Sequence, residues 1–196
     1  MEKPADTEHE VHPLIRKRWS PRAFTEQPVT DAQLRSMIEA ARWAPSSFNA
    51  QPWRFVVARR GSDAHAAVAA TLNVFNQQWA ARAPLFIVST ARPRLELNGE
   101  LNRFALHDVG LATSQLVLQA TALDLSVHQM AGYSLDALRA ALALPPEVVP
   151  LAVLAVGYAG EPDSLPEAFK ELERAPRSRT PQTELVFDGV WGRVLS

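Results

Sequence analysis

The sequence predicts a single domain that mixes α-helices with β-strands, and two patterns carry that expectation. Leu34, Met37, Ile38 and Ala41 repeat at helical spacing behind a Thr30-x-x-Gln33 capping box. Trp53 to Ala58, Leu85 to Thr90 and Leu151 to Tyr158 are apolar runs of strand length, set off by prolines and glycines. The chain's 196 residues suit one domain, enough to bury about 70% of the surface of the unfolded chain. A hydrophobic fraction of 47% with 21% charged residues is ordinary for a soluble globular protein. The net charge of −1 recruits neither nucleic acid nor an anionic membrane. Without cysteine there are no disulfides, thiolate metal sites or cysteine nucleophiles. No apolar run reaches the ~20 residues of a membrane span, and Met1 to Glu10 has no apolar signal core, so the expected location is the cytoplasm.

The expected elements follow in order. Residues 1–10 are charged and lack apolar partners, and are expected to fray; one domain then covers 11–183. Val11, Leu14 and Ile15 share a helical face, and Pro21 disfavours helix at Ser20, so the first helix ends near Trp19. The capped helix runs from Thr30 to Pro45 and leads through a loop to the first strand. A helix from about Asp63 to Leu72 precedes the amide-rich stretch Asn73 to Gln78, in which Asn76 reads either as helix surface or as a group reaching a ligand. After the Leu85 strand, helix is expected from about Glu100 to Leu125, apolar nearly all round beyond Val109, with a close backbone approach at Gly110. Ser126 to Ala131 reads as a short strand, and Ser134 caps a helix to Leu142. Leu151 to Tyr158 reads as a strand buried on both faces. Residues 184–196 are an apolar arm that its own core or a partner subunit must cover.

Three places carry chemistry. If the chain leaves the first helix extended, Arg18, Ser20 and Arg22 fall on one side, two guanidinium forks flanking a hydroxyl in a grip suited to phosphate. Arg177 and Arg179, between Pro176 and Pro181, form a second such pair. A solvated basic patch is the commoner meaning of such clusters. The loop from Arg42 to Trp53 is stiffened by Pro45 and Pro52 and offers Ser46, Ser47, Asn49 and Gln51. Neutral hydroxyls and amides suit the polar edge of a planar heterocycle, and they also suit a plain surface turn. No Gly-x-Gly-x-x-Gly, P-loop or nucleophile elbow is present. His9 and His12 have no third metal ligand, and His107, Asp108 and His128 read as structural, so no catalytic side chain or acid–base pair is expected.

Together these pieces resemble the nitroreductase family of FMN-dependent oxidoreductases, over Leu14 to Trp191. Arg18-Trp-Ser-Pro-Arg22 resembles its N-terminal basic element, and Ala44-Pro-Ser-Ser-Phe-Asn-Ala-Gln-Pro-Trp53 its most recognisable loop. His128-Gln-Met-Ala-Gly-Tyr133 resembles its glycine turn and Pro176-Arg-Ser-Arg179 its C-terminal basic element. The resemblance implies an α+β fold, with a central mixed, mainly antiparallel sheet flanked by helices, in an intertwined homodimer. It implies that Arg18, Ser20, Arg177 and Arg179 hold the FMN phosphate and ribitol, with Arg22 toward the ring. Asn76 would bond the pyrimidine edge, and Met130, Ala131 and Gly132 would offer backbone groups near flavin N5. Pro45, Ser46, Ser47 and Asn49 would come from the partner subunit, which the arm 184–196 would wrap. Trp19 and Ala131 depart from the usual residues, which limits Trp19 to a backbone or steric contact and Ala131 to a main-chain one. Phe48, Trp79 and Phe104 are candidate walls of the acceptor pocket by residue type. The implied reaction passes a hydride from NADH or NADPH through flavin N5 to an electron-poor acceptor, a nitroaromatic or a quinone, by a ping-pong route. Reductive dehalogenation, other flavin chemistry on the same fold, and flavin binding without turnover are the alternatives.

Overall fold

Thr30 accepts a hydrogen bond from the Gln33 N–H at 3.2 Å, and the Gln33 side chain returns one from the Thr30 N–H at 3.0 Å. This box starts helix α2 (Asp31–Arg42) where the sequence places it, and Met37 and Ala41 face inward from it. A computed structural model describes residues 1–195, with further helices α1 (Pro13–Lys17), α3 (Asp63–Thr71), α4 (Val74–Ala80), α5 (Ala105–Ala122), α6 (Leu135–Ala141) and α7 (Glu167–Arg174). The strands are β1 (Trp53–Arg59), β2 (Leu85–Ala91), β3 (Ser126–Met130) and β4 (Val149–Gly157).

The strands form one sheet in the order β1-β2-β4-β3. All three pairings are antiparallel, so these strands supply the antiparallel part of the expected sheet. Period-two alternation divides their side chains between two cores. Leu85, Ile87, Val127, Leu154 and Val156 pack under α2 and α5. Phe86, Val88, Met130, Val153 and Ala155 pack under α3, α4, α6 and α7, against Val68, Trp79, Leu138 and Phe169. Pro150 sits in central strand β4, where its missing N–H would break the ladder. The register accommodates it: Ser89 pairs with Ala152 and Thr90 with Pro150, so the chain bulges at Leu151.

Several expectations need correction. The long helix starts at Ala105 rather than Glu100: Leu101 bridges back to Arg94, and the Asn102 side chain accepts the Phe104 N–H. Within its own chain nothing lies within 4 Å of a Cβ at Gly110, so no neighbouring element of the same chain approaches it closely. Asn76 lies in helix α4 but is buried rather than on its surface, and α7 was not anticipated at all. Residues 1–10 carry no regular structure but make contacts with the body of the chain. The Ala5 N–H donates to the Arg16 carbonyl at 2.8 Å, and the Lys3 ammonium donates to the Glu173 carbonyl at 2.7 Å. The C-terminal arm folds on itself, with Phe187 bridging Val194 and its ring 4.7 Å from that of Trp191, which is 91% exposed. No described helix is long and apolar enough to cross a membrane.

Replacing Thr30 with alanine removes the box and costs about 1 kcal/mol of stability. Urea unfolding should show a lower midpoint at unchanged slope.

Candidate functional site

Arg18 leaves α1 with extended backbone (φ −58°, ψ 126°). Its Nη1 donates to the Ser20 hydroxyl at 3.3 Å, so the predicted same-side geometry holds for this pair. The following turn is clamped to the sheet. His128 Nδ1 donates to the Pro21 carbonyl at 3.0 Å, Phe24 bridges Ala159, and the Gly160 N–H reaches the Ala23 carbonyl at 2.8 Å.

The C-terminal basic pair comes to the same place. Desolvation draws the Arg18 pKa below the ordinary arginine value, and the positive charges of Arg177 and Arg179 add to the effect. Arg177 shows the same direction, from burial and then from Arg179. Its guanidinium donates to the Lys3 and Arg16 carbonyls at 2.8 and 3.1 Å. The Lys3 ammonium lies 4.9 Å from the centre of the Trp19 ring, and a cavity of 810 Å³ opens beside Lys3, Leu14, Arg18 and Trp19. Among the described residues no ion pair involves Arg18, Arg177 or Arg179. Arg18, Arg177 and Arg179 thus lie near enough for their charges to act on one another, with no ion pair to any of the three among the described residues.

Arg22 leads from this cluster to the other predicted groups. Its guanidinium lies 3.7 Å from Glu173 Oε2 and 6.0 Å from the centre of the Phe75 ring. Beside Phe75, Asn76 donates from Nδ2 to the Gly132 carbonyl at 3.2 Å, and the Asn73 N–H donates to the same oxygen at 2.8 Å. A Cβ on Gly132 would stand 2.2 Å from Asn73 Nδ2, so only glycine fits this turn. Met130 is buried, Ala131 is exposed and Gly132 lies between. Within one chain, contacts link Arg18 to Ser20 and, by charge, to Arg177 and Arg179, set Arg22 against Phe75 and join the neighbouring Asn76 to Gly132.

The loop Pro45, Ser46, Ser47 and Asn49 is elsewhere. The Ser47 N–H donates to Asp108 Oδ2 at 3.0 Å at the start of α5, whereas Lys17, next to Arg18, pairs with Asp124 just past its other end. Most of the helix's length, about 20 Å, lies between these anchors. The loop backbone is strained, with Phe48, Asn49 and Gln51 at φ 53°, 53° and 45°. Phe48 is 94% exposed. A cavity of 670 Å³ lies beside it, lined by Asn49, Gln51, Trp53, Arg54 and Leu97 among others. Of the candidate pocket walls, Phe48 and Phe104 are exposed, but Trp79 is a core residue between Phe24 and His128 and walls no open pocket.

Sequence reasoning missed Glu173. It is 1% exposed and accepts the Arg22 and Ala23 N–H groups on Oε1 at 2.8 and 3.0 Å. The signal lay in α7, where Glu173 follows buried Phe169 by four residues and so occupies the apolar face.

A family model described as the Nitroreductase family matches residues 15–158. An uncharacterised 15.4 kDa protein of Mycolicibacterium smegmatis is 32% identical over 150 residues, covering 72% of this chain and 99% of the relative. An NADH dehydrogenase of Thermus thermophilus is 29% identical, covering 81% of this chain and 90% of the relative. Among solved structures, an oxidoreductase containing FMN superposes with a TM-score of 0.90 at 31% identity, over 96% of each chain. A Desulfovibrio desulfuricans protein in complex with FMN superposes with a TM-score of 0.73 at 28% identity, over 94% of this chain and 99% of that one.

Desolvation, with a smaller contribution from Arg22, lowers the His128 pKa from 6.5 to about 4, against the opposing hydrogen bonds to Pro21 and Ser20. A histidine depressed in the folded state takes up its proton more readily when unfolded. Its contribution is therefore complete above pH 6.5 and is lost as the pH falls toward 4. The loss amounts to about 3 kcal/mol. A urea-unfolding series across this window should show that decline in the wild type and a flatter profile in His128→Gln.

Proposed function

The chain belongs to the nitroreductase family, and from that premise we propose that it is an FMN-dependent oxidoreductase carrying a hydride from NADH or NADPH to an electron-poor acceptor. One observation carries the reading: the clustering of Arg18, Arg177 and Arg179 with no acid to balance them. Such a cluster fits a phosphate monoester, which brings ≈ −1.5 to −2 charge and three strong acceptor oxygens. The rest of the region fits the remainder of the cofactor. Arg22 Nε is buried without a hydrogen-bond partner, a donor left over for a ligand.

Arg18, Ser20, Arg177 and Arg179 would hold the phosphate and ribitol. Arg22 would face the ring, Asn76 its pyrimidine edge, and the backbone of Met130, Ala131 and Gly132 would line it. When bound, FMN supplies the N5 position that takes up and gives back a hydride. The protein's part is to bind and orient, which accounts for an expected site without a catalytic acid or base. Arg22 would also supply positive charge to offset the negative charge that reduction adds to the ring. The nicotinamide donor is supported by relatives named NADH dehydrogenase and NAD(P)H nitroreductase. Nitroaromatics and quinones are the acceptor class proposed, with donor and acceptor using one place in turn.

The site is proposed to be shared in a homodimer. The separation of loop and arginines along α5 keeps one chain's Pro45, Ser46, Ser47 and Asn49 from its own Arg18, so the partner's loop would complete the pocket. The strain and exposure at Phe48 support this assignment, as does the exposed arm from residue 184. No specific observation favours reductive dehalogenation or flavin binding without turnover.

Purified protein should be yellow, and its bound flavin should bleach anaerobically on adding NADH or NADPH; a colourless protein with no affinity for FMN refutes the reading. Arg177→Ala should weaken FMN binding at least about tenfold, the loss of one charge-assisted contact. Deleting Thr183 to Ser196 should lower the mass measured by light scattering and release flavin. A truncated protein that stays yellow at unchanged mass removes the arm from the proposal.

A further inference from the structure

Glu173 is joined to more of the site than any other acid. Its Oε1 takes the N–H groups of Arg22 and Ala23, and its Oε2 faces the Arg22 guanidinium at 3.7 Å. Its own carbonyl accepts the Lys3 ammonium, and the Lys3 carbonyl accepts Arg177. The residue is 1% exposed, so its carboxylate has no water to turn to. The contact with Arg22 is incomplete all the same: Arg22 Nε and Glu173 Oε2 are both buried without hydrogen-bond partners. A carboxylate meant only to bury an arginine would close the two-pronged bond that guanidinium geometry favours. Here the carboxylate spends one oxygen on the backbone and leaves the guanidinium partly open.

We infer that Glu173 is a positioning residue of the flavin site, holding the Arg18 to Ala23 turn by its backbone and setting how much of the Arg22 charge reaches the bound ring. The inference rests on the FMN reading. Two clamps fix the turn: His128 holds the Pro21 carbonyl from β3, and Glu173 holds the next two N–H groups from α7. Between them the side chain of Arg22 is set over Phe75, whose neighbour Asn76 binds the glycine turn. Glu173 does not itself need to touch the cofactor. It orients Arg22 and partly offsets its charge.

Two variants of the full chain separate these roles. Glu173→Gln keeps an oxygen for the two N–H groups but removes the negative charge, whereas Glu173→Ala removes both. FMN affinity is read by fluorescence titration, and the midpoint potential of the bound flavin by anaerobic reductive titration. Glu173→Gln should hold FMN within about threefold of wild type. Its potential should move upward, because an unopposed Arg22 favours the more negative, reduced ring. Glu173→Ala should lose at least about tenfold in affinity. An unchanged potential in Glu173→Gln overturns the inference, as does a folded Glu173→Ala that binds FMN like wild type. Should Glu173→Ala fail to fold, the potential of Glu173→Gln decides. A wild type that binds no FMN overturns the functional reading and this inference together, whereas a wild type that binds FMN beside indifferent variants overturns this one alone.

Discussion

Everything else in the molecule is laid on the antiparallel pairing of β2 with β4. β2 is buried at every position, and its alternating side chains serve both cores at once. β4 carries β3 on its other edge, with His128 opposite Ala155 and Met130 opposite Val153. The register of β4 therefore decides where His128 meets the Pro21 carbonyl and where the glycine turn begins. A slip of one residue would turn each of these side chains to the wrong face. The bulge at Leu151 absorbs the cost of Pro150 outside the segment on which β3 depends.

Against that frame the charges are distributed unevenly. Surface pairs such as Arg60–Glu26 and Arg174–Asp163 are exposed and contribute little. Arg18 and Arg177 are partly desolvated, with the positive charge of Arg179 acting on both and no ion pair to any of the three among the described residues, an arrangement that works against the folded state on its own. An anion that binds only the folded chain returns that stability by mass action. The unfavourable cluster and the affinity for a ligand are then the same electrostatic fact.

What was legible in the sequence was local. The Thr30–Gln33 box, the stripe behind it and the proline-bounded strands depend on neighbours a few residues away, and they stand where expected. The expected start at Glu100 failed because Leu101 is claimed by Arg94, a competing short-range contact. α7 escaped because a short helix among prolines has little room to show a period, and Glu173 interrupts its apolar face. The two readings of Asn76 could not be separated locally because its partner, the Gly132 carbonyl, is 56 residues away. The two arginine pairs were each visible, but their convergence on Arg18 is tertiary; only the family resemblance anticipated it. The placement of the Pro45 loop at the far end of α5 from Arg18 was likewise beyond any local signal.

The stitching of the N-terminus to the C-terminal basic segment, through Lys3, Glu173 and Arg177, also orders events in time. A ribosome releases Arg18 early and Arg177 only after all four strands have been made. The sheet needs residues up to Gly157, whereas the proposed anion site also needs Arg177 and Arg179. Closing it brings together groups from opposite ends of the chain, the kind of long-range contact that forms slowly. A ligand held as proposed by Arg18 and Arg177 would therefore be captured only after both ends of the chain have come together.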